Sequence, residues 1–241
     1  MAVLLALATF VLFCTLDFVI HRLRAARTVA TVEKVAAPAP AVVPATEVVE
    51  EPVWVAGYEL PERVYYHPGH MWARVLSPDT VAVGMDDFAR RLTGPATGMK
   101  LPAIGAWLRQ GSKAVAIEAD GKRTDMLAPV EGEVVEVNRD VRREPQVATT
   151  DPYGRGWLFK LRSANLAANL RNLLSGTLAR RWAEDAREQL TLRLMALSGS
   201  VVADGGEPAR DFARHLEPSD WHDLTGRFFL TGKPDGQGGL L

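Results

Sequence analysis

A single cysteine, Cys14, is the only thiol in 241 residues, which excludes an internal disulfide and any cluster of thiolate ligands within one chain. Charge of one sign is equally scarce. Lys and Arg number 28 against 29 Asp and Glu, so no overall field gathers phosphates, and no basic stripe carries interleaved aromatics. A nucleic-acid partner is not expected. GxSxG, HExxH and phosphate-loop motifs are missing, and no Ser, His and Asp set has a meaningful spacing, so the chain is expected to be non-catalytic. His67 and His70 have no acidic or cysteine partner at ligand spacing, and no metal site is expected there. What the chain does have is 47% apolar and 24% charged residues, enough to bury a real core.

Long apolar runs are confined to the N-terminus. Residues 2–20, AVLLALATFVLFCTLDFVI, are interrupted only by two threonines and Asp17. At ~1.5 Å per residue this run spans about 28 Å, close to the hydrocarbon thickness of a bilayer. His21, Arg22, Arg24 and Arg27 follow directly, no basic residue precedes the run, and no small-x-small cleavage pattern follows it. The segment is therefore expected to be a single transmembrane anchor in the cytoplasmic membrane, N-terminus outside and main domain in the cytoplasm. Asp17 is expected to reach the interface, pairing with Arg24 or His21, or to face another membrane helix.

Residues 28–57 begin with an Ala-, Val-, Pro- and Glu-rich stretch that lacks a helical period and reads as a semi-rigid spacer. Over residues 58–162 the character changes. RVYYH, TVAVGM, KAVAIEA, GEVVEVN and WLFKL are short Val-rich or aromatic runs separated by Gly, Pro, Asp and Asn, the pattern of a mainly β domain, with DDFARRL as its clearest helix. Residues 163–197 take on helical period. SANLAANLRNLLSG offers Ser163 as N-cap and Gly176 as stop, and a longer amphipathic helix follows with Leu178, Trp182, Ala186 and Leu190 on one face. That face fits either its own β domain or a partner. Residues 198–241 read as an extended tail with short helical pieces, one of them containing Trp221. Asp17, Leu178, Trp182, Leu190 and Trp221 are the candidate contact residues.

Several segments of the β region carry a family likeness. Tyr66, His70 and Trp72 form YxxxHxW, VAVGMDDFARRL follows, then LPAIG (residues 101–105), APVEGEVVEVN (128–138) and DPYGRGWLFKL (151–161). In order and spacing, residues 58–175 resemble the glycine cleavage system H protein of the lipoyl and biotinyl carrier superfamily. The resemblance implies a barrel-sandwich hybrid and a lysine at a hairpin tip that carries lipoate. In the family that lysine stands three residues after a Glu and eight before a Pro. Counting from Glu118 and from Pro129 lands on Gly121 both times. Lys122 is displaced by one residue, which in a strand reverses side-chain direction, and Asp120-Gly121 signals a type I′ turn with Lys122 opening the return strand. No cofactor is therefore expected, the alternative being covalent lipoate on Lys122. The leading expectation is a membrane-anchored structural or interaction subunit of a multi-protein membrane complex, respiratory or photosynthetic; the alternative is a membrane-tethered lipoyl carrier.

Overall fold

The computed structural model describes residues 53–198 and 216–232. The expected anchor at 2–20, Asp17 and most of the spacer lie outside the described residues. Among the described residues no helix is long and apolar enough to cross a membrane.

The Val-rich runs form strands because each has a face, or both faces, to bury. β3 (Tyr65–Tyr66), β4 (Met71–Ser77), β5 (Thr80–Met85), β7 (Trp107–Leu108), β10 (Gly132–Val137) and β11 (Phe159–Arg162) make one antiparallel sheet in the order β3-β4-β5-β11-β10-β7. Between β4 and β11, β5 is buried from Val81 through Met85, which is why its sequence is an unbroken small-apolar run and not an alternation. A smaller sheet holds β6 (Gly98–Lys100), β8 (Lys113–Ala119) and β9 (Lys122–Leu127). One core joins the two sheets: Ile117 and Met126 from the small sheet pack with Met71, Val83, Val134, Leu158 and Phe159 from the large sheet and its entry. Each such fully buried side chain contributes about 1.5–3 kcal/mol.

The fold begins before the composition break at residue 57. Trp54–Val55 (β1) pairs with Tyr58–Glu59 (β2) across a tight turn, and Val55 joins a second cluster with Leu60, Val64, Tyr66, Trp72 and Tyr153. Trp72 is fully buried and donates its indole N–H to the carbonyls of Met85 and Pro152, at 2.8 and 3.2 Å. This ties the DPYG segment to the sheet. Gly156 in that segment admits no side chain, because a Cβ there would meet the Asp151 carbonyl oxygen at 2.4 Å. The strand run WLFKL enters the core through Leu158 and Phe159. Trp157 is only half-buried and lies under the Lys160 ammonium, 4.8 Å from ring centroid to Nζ.

DDFARRL is a helix, α1 (Asp87–Thr93), opened by Asp86, whose carboxylate accepts the Ala89 N–H at 2.7 Å. α2 (Arg139–Arg143), capped by Asn138, and α3 (Gln146–Thr150) lead into the DPYG turn.

The first C-terminal helix is shorter than its leucine spacing implies. Only α4 (Leu166–Leu170) is helical, its N-cap position falls on Asn165, and the Ser163 N–H goes to the Asp79 carbonyl at 2.7 Å. Leu174 is drawn out of the helix by pairing with Tyr66, each backbone N–H meeting the other's carbonyl at 2.8 Å. The long helix α5 (Gly176–Ser198) then starts at Gly176, where φ is +53°. It packs on its own domain through Ala179, Ala183, Ala186 and Leu190. Ala186 and Leu190 of the stripe read from the sequence lie on this buried face, whereas Leu178 is 59% exposed, and in the first half of the helix Ala179 and Ala183 take the inner positions. The small side chains of Ala179 and Ala183 pack with Val55, Leu60 and Tyr66 in the second cluster.

Candidate functional site

The hairpin β8-β9 is closed by two residues. Asp120 and Gly121 have φ of +48° and +73°, the pair of left-handed conformations that a type I′ turn requires. Ala119 faces Lys122 in the ladder, so Lys122 opens the return strand. At Gly121 a Cβ would point into open space, with no atom within 4 Å. Lys122 does not project from the tip. Its ammonium donates to the carbonyl of Leu216 at 2.7 Å, just ahead of α6 (Pro218–Phe228).

Helix α6 packs on β9. Trp221, Leu224, Thr225 and Phe228 are buried on its inner face, with Phe229 directly after it. Trp221 is therefore part of the domain's own core. The same holds for Leu190, and Trp182 lies 4.6 Å from the His70 ring and 6.0 Å from that of Tyr66. Of the sequence-derived contact candidates within the described residues, Leu178 is the one left exposed. Leu216, Phe228 and Phe229 lay outside that set. The signal for them was present as Trp221, Leu224 and Phe228 at helical spacing.

A buried polar knot lies beside the helix's end. His70, with φ +64°, hydrogen-bonds through Nδ1 to Asp86 at 2.8 Å and stacks on Phe88 at 4.1 Å. Phe228 and Phe229 meet the His70 ring edge-on at 6.1 and 6.3 Å. Asp87, also buried, accepts the Glu59 N–H at 3.0 Å and pairs with Arg90 and Arg91. Tyr153 donates to the Glu59 carbonyl at 2.9 Å and accepts the Asp87 N–H at 3.2 Å. A cavity with room for about one water lies within this knot.

Burial raises the Tyr58 phenol to about 12 despite Arg91, and burial pushes Tyr66 and Tyr153 well above the phenol range. Burial, with the nearby His70, lowers His67 to about 4, and its Nδ1 accepts the Gly69 N–H at 3.0 Å. Among the described residues no group of His, Cys, Asp or Glu is arranged to hold a metal ion. Both histidines serve the fold: one caps a turn, the other is stapled to the carboxylate that starts α1.

Comparison with known proteins bears on this hairpin and its sheets. The family model for the Glycine cleavage H-protein matches residues 64–186, just over half the chain. The "Glycine cleavage system H protein" of Neisseria meningitidis serogroup B is 39% identical over 108 residues, covering 45% of this chain and 84% of that protein. The "Probable glycine cleavage system H protein" of Pyrococcus abyssi is 35% identical over 120 residues, covering 50% and 89% respectively. The crystal structure of a glycine cleavage system H protein from Mycobacterium marinum superposes with a TM-score of 0.46 at 27% identity, covering 52% of this chain and 98% of that one. On the family match and on relatives covered over most of their length, this chain belongs to the glycine cleavage H-protein family.

Proposed function

We propose that this chain is a membrane-anchored, non-catalytic interaction subunit, in which the H-protein-like body is a rigid platform for other subunits of a multi-protein membrane assembly. The observation that carries this reading is the hairpin tip. Gly121 occupies the place where the family implies a lipoyl-lysine, and the neighbouring Lys122 is turned onto the body, its ammonium held by the Leu216 carbonyl. A tethered arm needs a side chain that leaves the turn freely, and neither residue supplies one. The anchor rests on the apolar run 2–20 and its basic flank, with the N-terminus outside and the body in the cytoplasm. An energy-transducing complex, respiratory or photosynthetic, is a fitting host for an anchor, spacer and platform.

Extraction in mild detergent followed by affinity purification tests the reading. Co-purification of fixed partner subunits at constant ratio is the expected result; recovery of the chain only as a free monomer overturns it. A second reading, a membrane-tethered lipoyl carrier modified at Lys122, is favoured by the names of the relatives and by the lysine's position beside the turn. Lipoate found on Lys122 decides for the carrier.

A further inference from the structure

The stretch that matches the family ends at residue 186, inside α5, so α6 is an addition to the family domain. Its seat is shaped for it. Phe228 packs on Phe88 at 4.9 Å, and a Cβ at Gly69 would lie 2.9 Å from the Phe229 carbonyl oxygen. Yet the helix is weak on its own: it has 11 residues, contains Gly226, and has no side-chain cap at Glu217. A peptide of that kind does not hold a helix in water, so it is helical because it is seated.

Its attachment beyond the apolar face is slight. Towards α5 an open cleft lined by Gln189, Leu192, Arg193 and Arg227 lies between the helices. Arg193 pairs with Asp223 through two half-exposed side chains, while its own buried Nε finds no acceptor among the described residues. Residues 199–215 join the two helices and include ADGGEP; loop-closure entropy grows slowly with length, so a connection of this length adds little to what holds α6 in place.

We propose that β9, the His67–His70 turn and α5 form a helix-binding groove, that α6 is its tethered occupant, and that an amphipathic helix of a partner subunit takes its place. The partner's pattern follows from the occupant: bulky apolar residues at i, i+3, i+7 and i+8, as at Trp221, Leu224, Phe228 and Phe229, with an acid at i+2 to meet Arg193. Release of α6 also frees the Lys122 ammonium from the Leu216 carbonyl. This deepens the platform reading and rests on it.

The test uses the full chain and a fluorescent synthetic peptide of residues 216–232, read by anisotropy. In the wild type the tethered helix competes at high effective concentration and binding is weak. Leu224→Ser, which loosens the chain's own α6, is expected to bind the peptide at least tenfold tighter than wild type. A peptide carrying Trp221→Ala and Phe228→Ala is expected to lose at least tenfold. A Leu224→Ser protein with native hydrogen-exchange protection in β8-β9 that binds no tighter than wild type overturns the proposal. Should that variant not fold, native-state hydrogen exchange on the wild type decides: α6 amides opening together, ahead of β8-β9, support the groove, whereas exchange of α6 only through global unfolding overturns it. Lipoate on Lys122 would end the platform reading without altering either peptide result.

Discussion

At the scale of single residues, the difference between a carrier and a platform is one position in a turn. Gly121 accepts φ of +73° without cost, and a lysine there would be strained by about 1–2 kcal/mol while its Cβ would meet no neighbouring atom. Gly121→Lys is therefore expected to lower stability by that amount in urea denaturation while folding normally. His67 gives a pH signature. Its folded value of about 4 lies below the unfolded value near 6.5, so the unfolded chain takes its proton first. Stability is unaffected above pH 6.5 and falls between 6.5 and 4, by up to about 3 kcal/mol at ~1.4 kcal/mol per unit. Glu59, whose carboxyl is raised chiefly by burial, works in the opposite sense on the acid side. Chemical denaturation of His67→Asn against wild type isolates the histidine: the variant is expected to lose the slope between pH 6.5 and 4.

Elements whose cause is local were legible in the sequence. The Asp120-Gly121 turn follows from two adjacent residues that tolerate positive φ, and α1 follows from a capping Asp before an apolar-periodic run. Asp86→Ala removes both that cap and the buried partner of His70, and is expected to cost about 2–4 kcal/mol by urea denaturation. Asp86→Asn, which keeps a cap acceptor, is expected to recover about 1 kcal/mol of that loss. Elements decided at a distance were not legible. Leu174 has helical spacing but is claimed by Tyr66 across more than a hundred residues of chain. In the first half of α5 the inner positions go to Ala179 and Ala183, which pack with Val55, Leu60 and Tyr66, and Leu178 is left exposed. Leu178→Ser is accordingly expected to change stability by less than about 0.5 kcal/mol, and Leu190→Ala to cost about 2–5 kcal/mol. The reverse order in thermal or urea unfolding would put Leu178, and not Leu190, in the packed seam.

For the whole molecule, the motifs YxxxHxW, LPAIG and DPYGRGWL were sufficient to anticipate the H-protein-like body, because they are fixed by packing: Trp72 between Met85 and Pro152, Gly156 against the Asp151 carbonyl. The candidate site was half legible. Counting from Glu118 and Pro129 located the turn, but a docked α6 and the Leu216 carbonyl that holds Lys122 depend on a helix returning from nearly a hundred residues away. The anchor proposed at 2–20 is tested by fractionation: on that proposal the full chain is expected in the membrane fraction after high-salt washing, and a chain lacking residues 2–27 in the soluble fraction. The most direct measurement is the intact mass of the full chain from cells that contain lipoate ligases, taken beside Gly121→Lys. The wild type is expected at its unmodified mass, with a lipoyl adduct only on the variant; a lipoyl group on Lys122 of the wild type would contradict the platform and make this chain a carrier.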